Sequence, residues 1–158
     1  DTYINRMNEI PQMRDEGYLE GFYIYLFNSL VIMHLFRFIF QNIAEISTQY
    51  PAINRKLQRL AKFQRQHLRK QLSRQQQDGT LKGEAVDLDF ILDIISLTLF
   101  QSLNYYQMQG DALEDPDIVY RTLMTIYFSV QPYYQDNDET GRIKQTILDK
   151  DLTKKEKA

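Results

Sequence analysis

Between residues 87 and 109 the chain carries apolar side chains almost all the way round a helix. Leu88, Ile91, Leu92, Ile95, Leu99 and Leu103 run along one side, and Phe90, Ile94, Leu97 and Phe100 lie elsewhere. A helix without a wet face has to be covered on several sides. That demand falls on a chain of 158 residues, enough for one core and too short for two full-sized ones. A second apolar helix follows. Asp115 is placed to cap it, Pro116 suits its first position, and Asp117 favours the positive end of its dipole. It carries Val119, Leu123, Ile126, Tyr127, Val130 and Tyr134 at helical spacing until Pro132 kinks or ends it. A lone protomer of this size would struggle to cover both helices. Two-fold pairing solves the problem, because each protomer then supplies the same two helices to a four-helix interface. The expectation is a homodimer with Leu92, Ile95, Leu99 and Leu103 of the first helix, and Val119, Leu123, Ile126 and Val130 of the second, in the seam.

The rest of the chain predicts an all-α fold, a single helical domain. Strand signals are nearly absent, and the Asp78-Gly79 dipeptide has helical periodicity on both sides. A helix end is expected over 2–8, stopped by Pro11, then a long helix over 16–48 whose first turns Gly17 and Gly21 weaken. Tyr50-Pro51 breaks it. The next helix starts at Pro51 and runs to the glutamine-rich turn before Asp78, carrying Ile53, Leu57, Leu60, Ala61, Leu68 and Leu72 on one face. The polar remainder reads as a tail with one marginal helix around Ile147 and Leu148, so that residues 1–134 form the domain and 135–158 the tail.

Composition narrows the function classes. An apolar fraction of 43%, with 9 Phe and 11 Tyr, excludes disorder along the whole chain. A net charge of −2, from 19 Lys and Arg against 21 Asp and Glu, gives no global field toward nucleic acid or membrane. Zero cysteines exclude a disulfide scaffold, a thiolate metal site and a cysteine nucleophile, and fit a reducing, cytoplasmic setting. Residues 22–40 approach the about 20 apolar residues of a membrane span, but Asn28, Ser29, His34 and Arg37 interrupt them. An Arg near mid-membrane costs roughly 2.5 to 3.5 kcal/mol, so the segment reads as a helix buried in protein. No signal-peptide pattern is present, and an opening of Asp-Thr-Tyr suggests a fragment.

Catalytic signatures are missing. His34 and His67 stand on different helices without metal-ligand spacing, and no phosphate loop, nucleophile elbow or nucleotide fingerprint occurs. No cofactor, no metal and no enzymatic reaction are expected. Two constellations remain. Arg55, Lys56, Arg59, Lys62, Arg65, Arg69, Lys70 and Arg74 form a run without an acid, and the acids Glu84, Asp87, Asp89, Asp93, Asp111, Glu114, Asp115 and Asp117 follow without a base. Neighbouring helices of opposite sign explain this better than phosphate binding, because the cations surround three sides of their helix. At ~100° per residue, Tyr23, Phe27, Leu30, His34, Arg37, Phe38 and Gln41 share one side of the long helix. Such a mixture suits a small-molecule cavity, which Tyr105 and Tyr127 would help to close; the competing reading is a satisfied core with Arg37 paired to a carboxylate such as Asp93.

The run Phe36-Arg37-Phe38 with Phe40, then Gln41-Asn42, Ile43, Ile46 and Tyr50-Pro51-Ala52-Ile53, resembles the C-terminal regulatory domain of TetR/AcrR-family transcriptional regulators. The turn at 78–82, the apolar helix after it, Gly110-Asp111 and the Asp115-Pro116 helix start match the family's gap before two dimerisation helices. Gln41 and Asn42 stand where one branch has Arg-Asp, and Tyr50 where it has Asp. The resemblance spans roughly residues 18–134. It implies an effector-sensing homodimer that relays small-molecule binding to a DNA-binding helix-turn-helix lying before Asp1, with no membrane partner. An all-α dimeric interaction module without ligand, and a small enzyme of unrecognised site, are the other readings.

Overall fold

Helix formation in this chain is interrupted where its longest apolar run would otherwise outgrow the molecule. In a computed structural model, which describes residues 19–150, the expected helix over 16–48 is three helices: α1 (Leu19–Leu35), α2 (Arg37–Gln41) and α3 (Ile43–Gln49). The breaks fall at Phe36 (φ −105°, ψ 28°) and Asn42 (φ −124°, ψ 28°). A straight helix over that span would be about 50 Å long. Bending swings Phe40 inward, where it is fully buried with its ring 6.2 Å from that of Phe100. The backbone groups freed at Asn42 are reused, since its N–H donates to the Ile39 carbonyl (3.2 Å) and its side-chain amide donates to the Phe38 carbonyl (2.9 Å).

Helix α4 (Pro51–Gln77) starts at the proline, and α5 (Ala85–Met108) follows after a turn. Helix α6 (Asp117–Val130) begins one residue later than expected; Asp115 still accepts from the Asp117 N–H (2.9 Å). Pro132 ends it in a 3-10 turn, Gln131–Tyr133, and places Tyr134 beyond the helix in extended backbone. There Tyr134 forms an isolated antiparallel bridge with Leu81; Lys82 N–H donates to the Tyr133 carbonyl (2.6 Å) and Gln135 N–H to the Thr80 carbonyl (3.0 Å). Gly110 has φ +77° and closes α5, with its own N–H on the Gln107 carbonyl and the Asp111 N–H on the Tyr106 carbonyl, both 3.0 Å.

The segment after 134 contributes more than a tail. Helix α7 (Asp138–Leu148) is capped by Asn137, which accepts from the Thr140 N–H (3.1 Å), and it buries Ile143 and Ile147 against α1 and α6. Helix α1 lies at the centre, with α6 and α7 on one side and α2 leading onto α5. Its backbone makes few close approaches to α4, and large side chains bridge the gap. The segments expected over 2–8 and around Pro11 and Gly17, and the end of the tail, lie outside the described residues.

Candidate functional site

The break at Phe36 divides the side-chain stripe that a continuous helix would have aligned. On α1, Tyr23, Phe27 and Leu30 are buried in the core. The Tyr23 ring lies 5.9 Å from Tyr127, whose hydroxyl donates to the Thr140 carbonyl (3.2 Å), and Phe27 packs on Tyr120 at 5.3 Å. His34 donates from Nε2 to the Leu113 carbonyl (2.7 Å), tying the end of α1 to the loop before α6. Past the break, Arg37 donates to the His34 carbonyl (3.2 Å), Gln41 is half-buried and Phe38 is exposed. Tyr105 is exposed on α5. Of the nine residues, Tyr23 and Tyr127 come together as a core pair.

The opposed charge runs meet across α4 and α5. Arg65 lies 2.6 Å from Asp93 and 3.5 Å from Asp89, and Arg69 pairs with Asp89. Asp93 therefore serves α4 and not Arg37. These are solvent-exposed pairs, each contributing about 0 to 1 kcal/mol. They orient two neighbouring helices.

The α5 and α6 faces sort differently from the sequence expectation. Leu92, Ile95, Leu99, Leu103, Val119, Leu123, Ile126 and Val130 are all buried inside the protomer, where α5 and α6 pack on each other and on the core. What the two helices turn outward is another row. On α5 it holds Phe90 (64% exposed), Leu97 (65%), Gln101, Tyr105 and Met108 (84%), and on α6 it holds Arg121, Thr125 and Phe128. Positions 90, 97, 101, 105 and 108 recur at three, four or seven residues, so they form one stripe. A shallow groove of about 360 Å³ joins the helices along it, between Leu97, Gln101, Tyr105 and Thr125. Arg121 lies over the Tyr106 ring at 4.5 Å and Lys144 over Phe128 at 5.3 Å, giving the apolar strip a cationic rim.

The least expected feature is on α4. Gln64, Gln71 and Gln75 are buried on the side that also carries Leu60, Leu68 and Leu72, and His67 stands beside them. Gln75 Oε1 accepts from the Tyr134 hydroxyl (2.5 Å). Among the described residues, both side-chain polar atoms of Gln64, Nε2 of His67 and Nε2 of Gln75 have no hydrogen-bond partner. A buried polar group left unpaired costs about 1 to 3 kcal/mol, so these positions are expensive to keep. The His67 ring stacks on Tyr25 of α1 at 4.4 Å and 32°. Burial, followed by Lys70 and Arg74, holds the imidazole below its usual pKa. Burial pushes the Tyr25 phenol up to about 12, tempered by the adjacent Ser29 and Gln64, although no hydrogen bond of normal geometry joins Gln64 to it. Burial also raises Tyr134, with Asp78 adding to the effect. The legible signal was three glutamines recurring at seven and four residues inside a cationic, leucine-bearing helix.

Among the described residues no cluster of His, Asp or Glu is placed to hold a metal ion, and no helix is long and apolar enough to cross a membrane. The family model for TetR, described as bacterial transcriptional repressor, matches residues 2–140. No curated protein and no solved structure matches.

Proposed function

Because the chain belongs to the TetR family of bacterial transcriptional repressors, we propose that it is the pairing and effector-sensing part of a transcriptional regulator and not an enzyme. The observation that carries this reading is the exposed apolar row on α5 and α6. Contiguous apolar surface rimmed by charge is the usual mark of a protein partner, and a two-fold axis through this face would bury the same row of both protomers. Two helices from each copy would then form a four-helix seam. Phe90, Leu97, Met108 and Phe128 would be its core, with Arg121 and Lys144 at its edge. A small-molecule effector would act by favouring one of two arrangements of the helices around that seam. The readout would be the spacing of two DNA-reading heads, carried by a helix-turn-helix outside the described residues.

The test separates the outward row from the inward one. Light scattering should give about twice the 18.9 kDa chain mass. Leu97→Glu combined with Phe128→Glu should halve it without lowering helicity, because charges would enter a desolvated seam. Leu99→Glu should instead unfold the protomer, since that side chain is in its core. A double variant that remains dimeric would refute the pairing face. Native mass spectrometry of protein purified from cells addresses the sensor role, which a copurified small molecule would support.

A further inference from the structure

We propose that Gln64, His67 and Tyr25 form the polar end of the effector site, and that it takes the amide-like edge of an uncharged small molecule, one that offers a donor and an acceptor side by side. The proposal deepens the sensor reading above and rests on it.

Gln64 is only 2% exposed, yet among the described residues neither its oxygen nor its nitrogen has a hydrogen-bond partner. A primary amide is self-complementary. The group that satisfies both of its atoms at once is another amide edge, as in a carboxamide, a lactam or a urea. His67 is one turn further along the same face of α4, and its free Nε2 adds one more directional contact. Its ring packs at a tilt on that of Tyr25, which would supply an aromatic wall for the ligand's body.

Charge decides the class. Lys70 and Arg74 follow His67 by three and seven residues on the same side of α4, and their charges would disfavour a cationic ligand there. A carboxylate placed against Gln64 would leave the amide oxygen facing negative charge. An uncharged donor and acceptor pair avoids both penalties. The position also fits a switch, because α1 and α4 are bridged here by side chains and not by close backbones. A molecule entering between them need not break a tight helix pair.

The test uses three probes that share one ring, benzamide, benzoate and benzylamine, titrated in turn into the whole chain while the Gln64 side-chain amide is followed by NMR. Benzamide should move that resonance saturably, and benzoate and benzylamine should not. Gln64→Leu should weaken benzamide binding about tenfold or more, the loss expected for a buried hydrogen-bonded pair. The same variant should raise the melting temperature by roughly 2 to 4 °C, because it removes an unpaired buried amide. His67→Phe keeps the stack on Tyr25 and should weaken benzamide binding as well. The proposal is overturned if benzamide leaves Gln64 unmoved, if benzoate or benzylamine moves it as far, or if Gln64→Leu melts lower. That last result would mean Gln64 already has a partner in solution, an ordered water included. A small molecule copurified with the chain while benzamide leaves Gln64 unmoved would remove this site and leave the sensor reading standing.

Discussion

Tyr134 shows how much one hydroxyl can hold. It is buried, it donates to Gln75 Oε1, and it stands where the chain has just left α6. Gln75 Nε2 is already without a hydrogen-bond partner among the described residues. Tyr134→Phe would strip the last partner from that amide and should cost about 1 to 3 kcal/mol in urea unfolding; an unchanged midpoint would mean that Gln75 finds another donor. Tyr25 makes a prediction with pH. Its phenol, at about 12 in the fold, ionises near 10 once unfolded. A pKa raised by folding contributes stability that is fully present below pH 10 and is lost as pH rises toward 12. The urea midpoint should therefore fall between about pH 10 and about pH 12, and Tyr25→Phe should remove part of that fall. A variant with the same alkaline loss as the parent would assign the effect to Tyr23, Tyr127 or Tyr134, which burial also raises.

Among the elements, α7 is the one whose contribution was hardest to foresee. Its sequence is mostly polar, but Asn137 caps it and Ile143 and Ile147 are buried. Asn137→Ala should cost about 1 kcal/mol of stability. Hydrogen exchange should then show faster opening confined to residues 138–148, whereas uniform loss across the chain would show that α7 does not open by itself. Local signals made other elements legible. Pro51 marked the start of α4, Gly79 and Gly110 the ends of α4 and α5, and Pro132 the end of α6. No such signal marks Phe36 or Asn42. The run around them contains no proline or glycine, and the breaks arise from where Phe40 has to go. Direction around a helix was also hidden on α5. A helix apolar on all sides has no unique inner face, so nothing in the pattern separates the buried Leu99 from the exposed Leu97. Gln64 was concealed for the opposite reason. Glutamine in a helix full of Arg and Lys reads as solvated surface until a second helix is laid over it.

At the scale of the molecule, the centre and the periphery are built on different principles. Helix α1 is covered by α6 and α7 and holds its place through aromatic packing, while α4 and α5 are aligned by exposed ion pairs. His34 fastens the end of α1 to the loop that joins α5 to α6. The small bridge between Leu81 and Tyr134 has a further consequence. The chain enters the α5–α6 hairpin and leaves it at one point, with both ends clasped by backbone hydrogen bonds. Segments whose ends meet are the ones that tolerate transplantation. Residues 82–133 have such ends, yet Leu99 and Leu123 within them are buried in the core, so a transplanted hairpin would have to carry its packing partners with it.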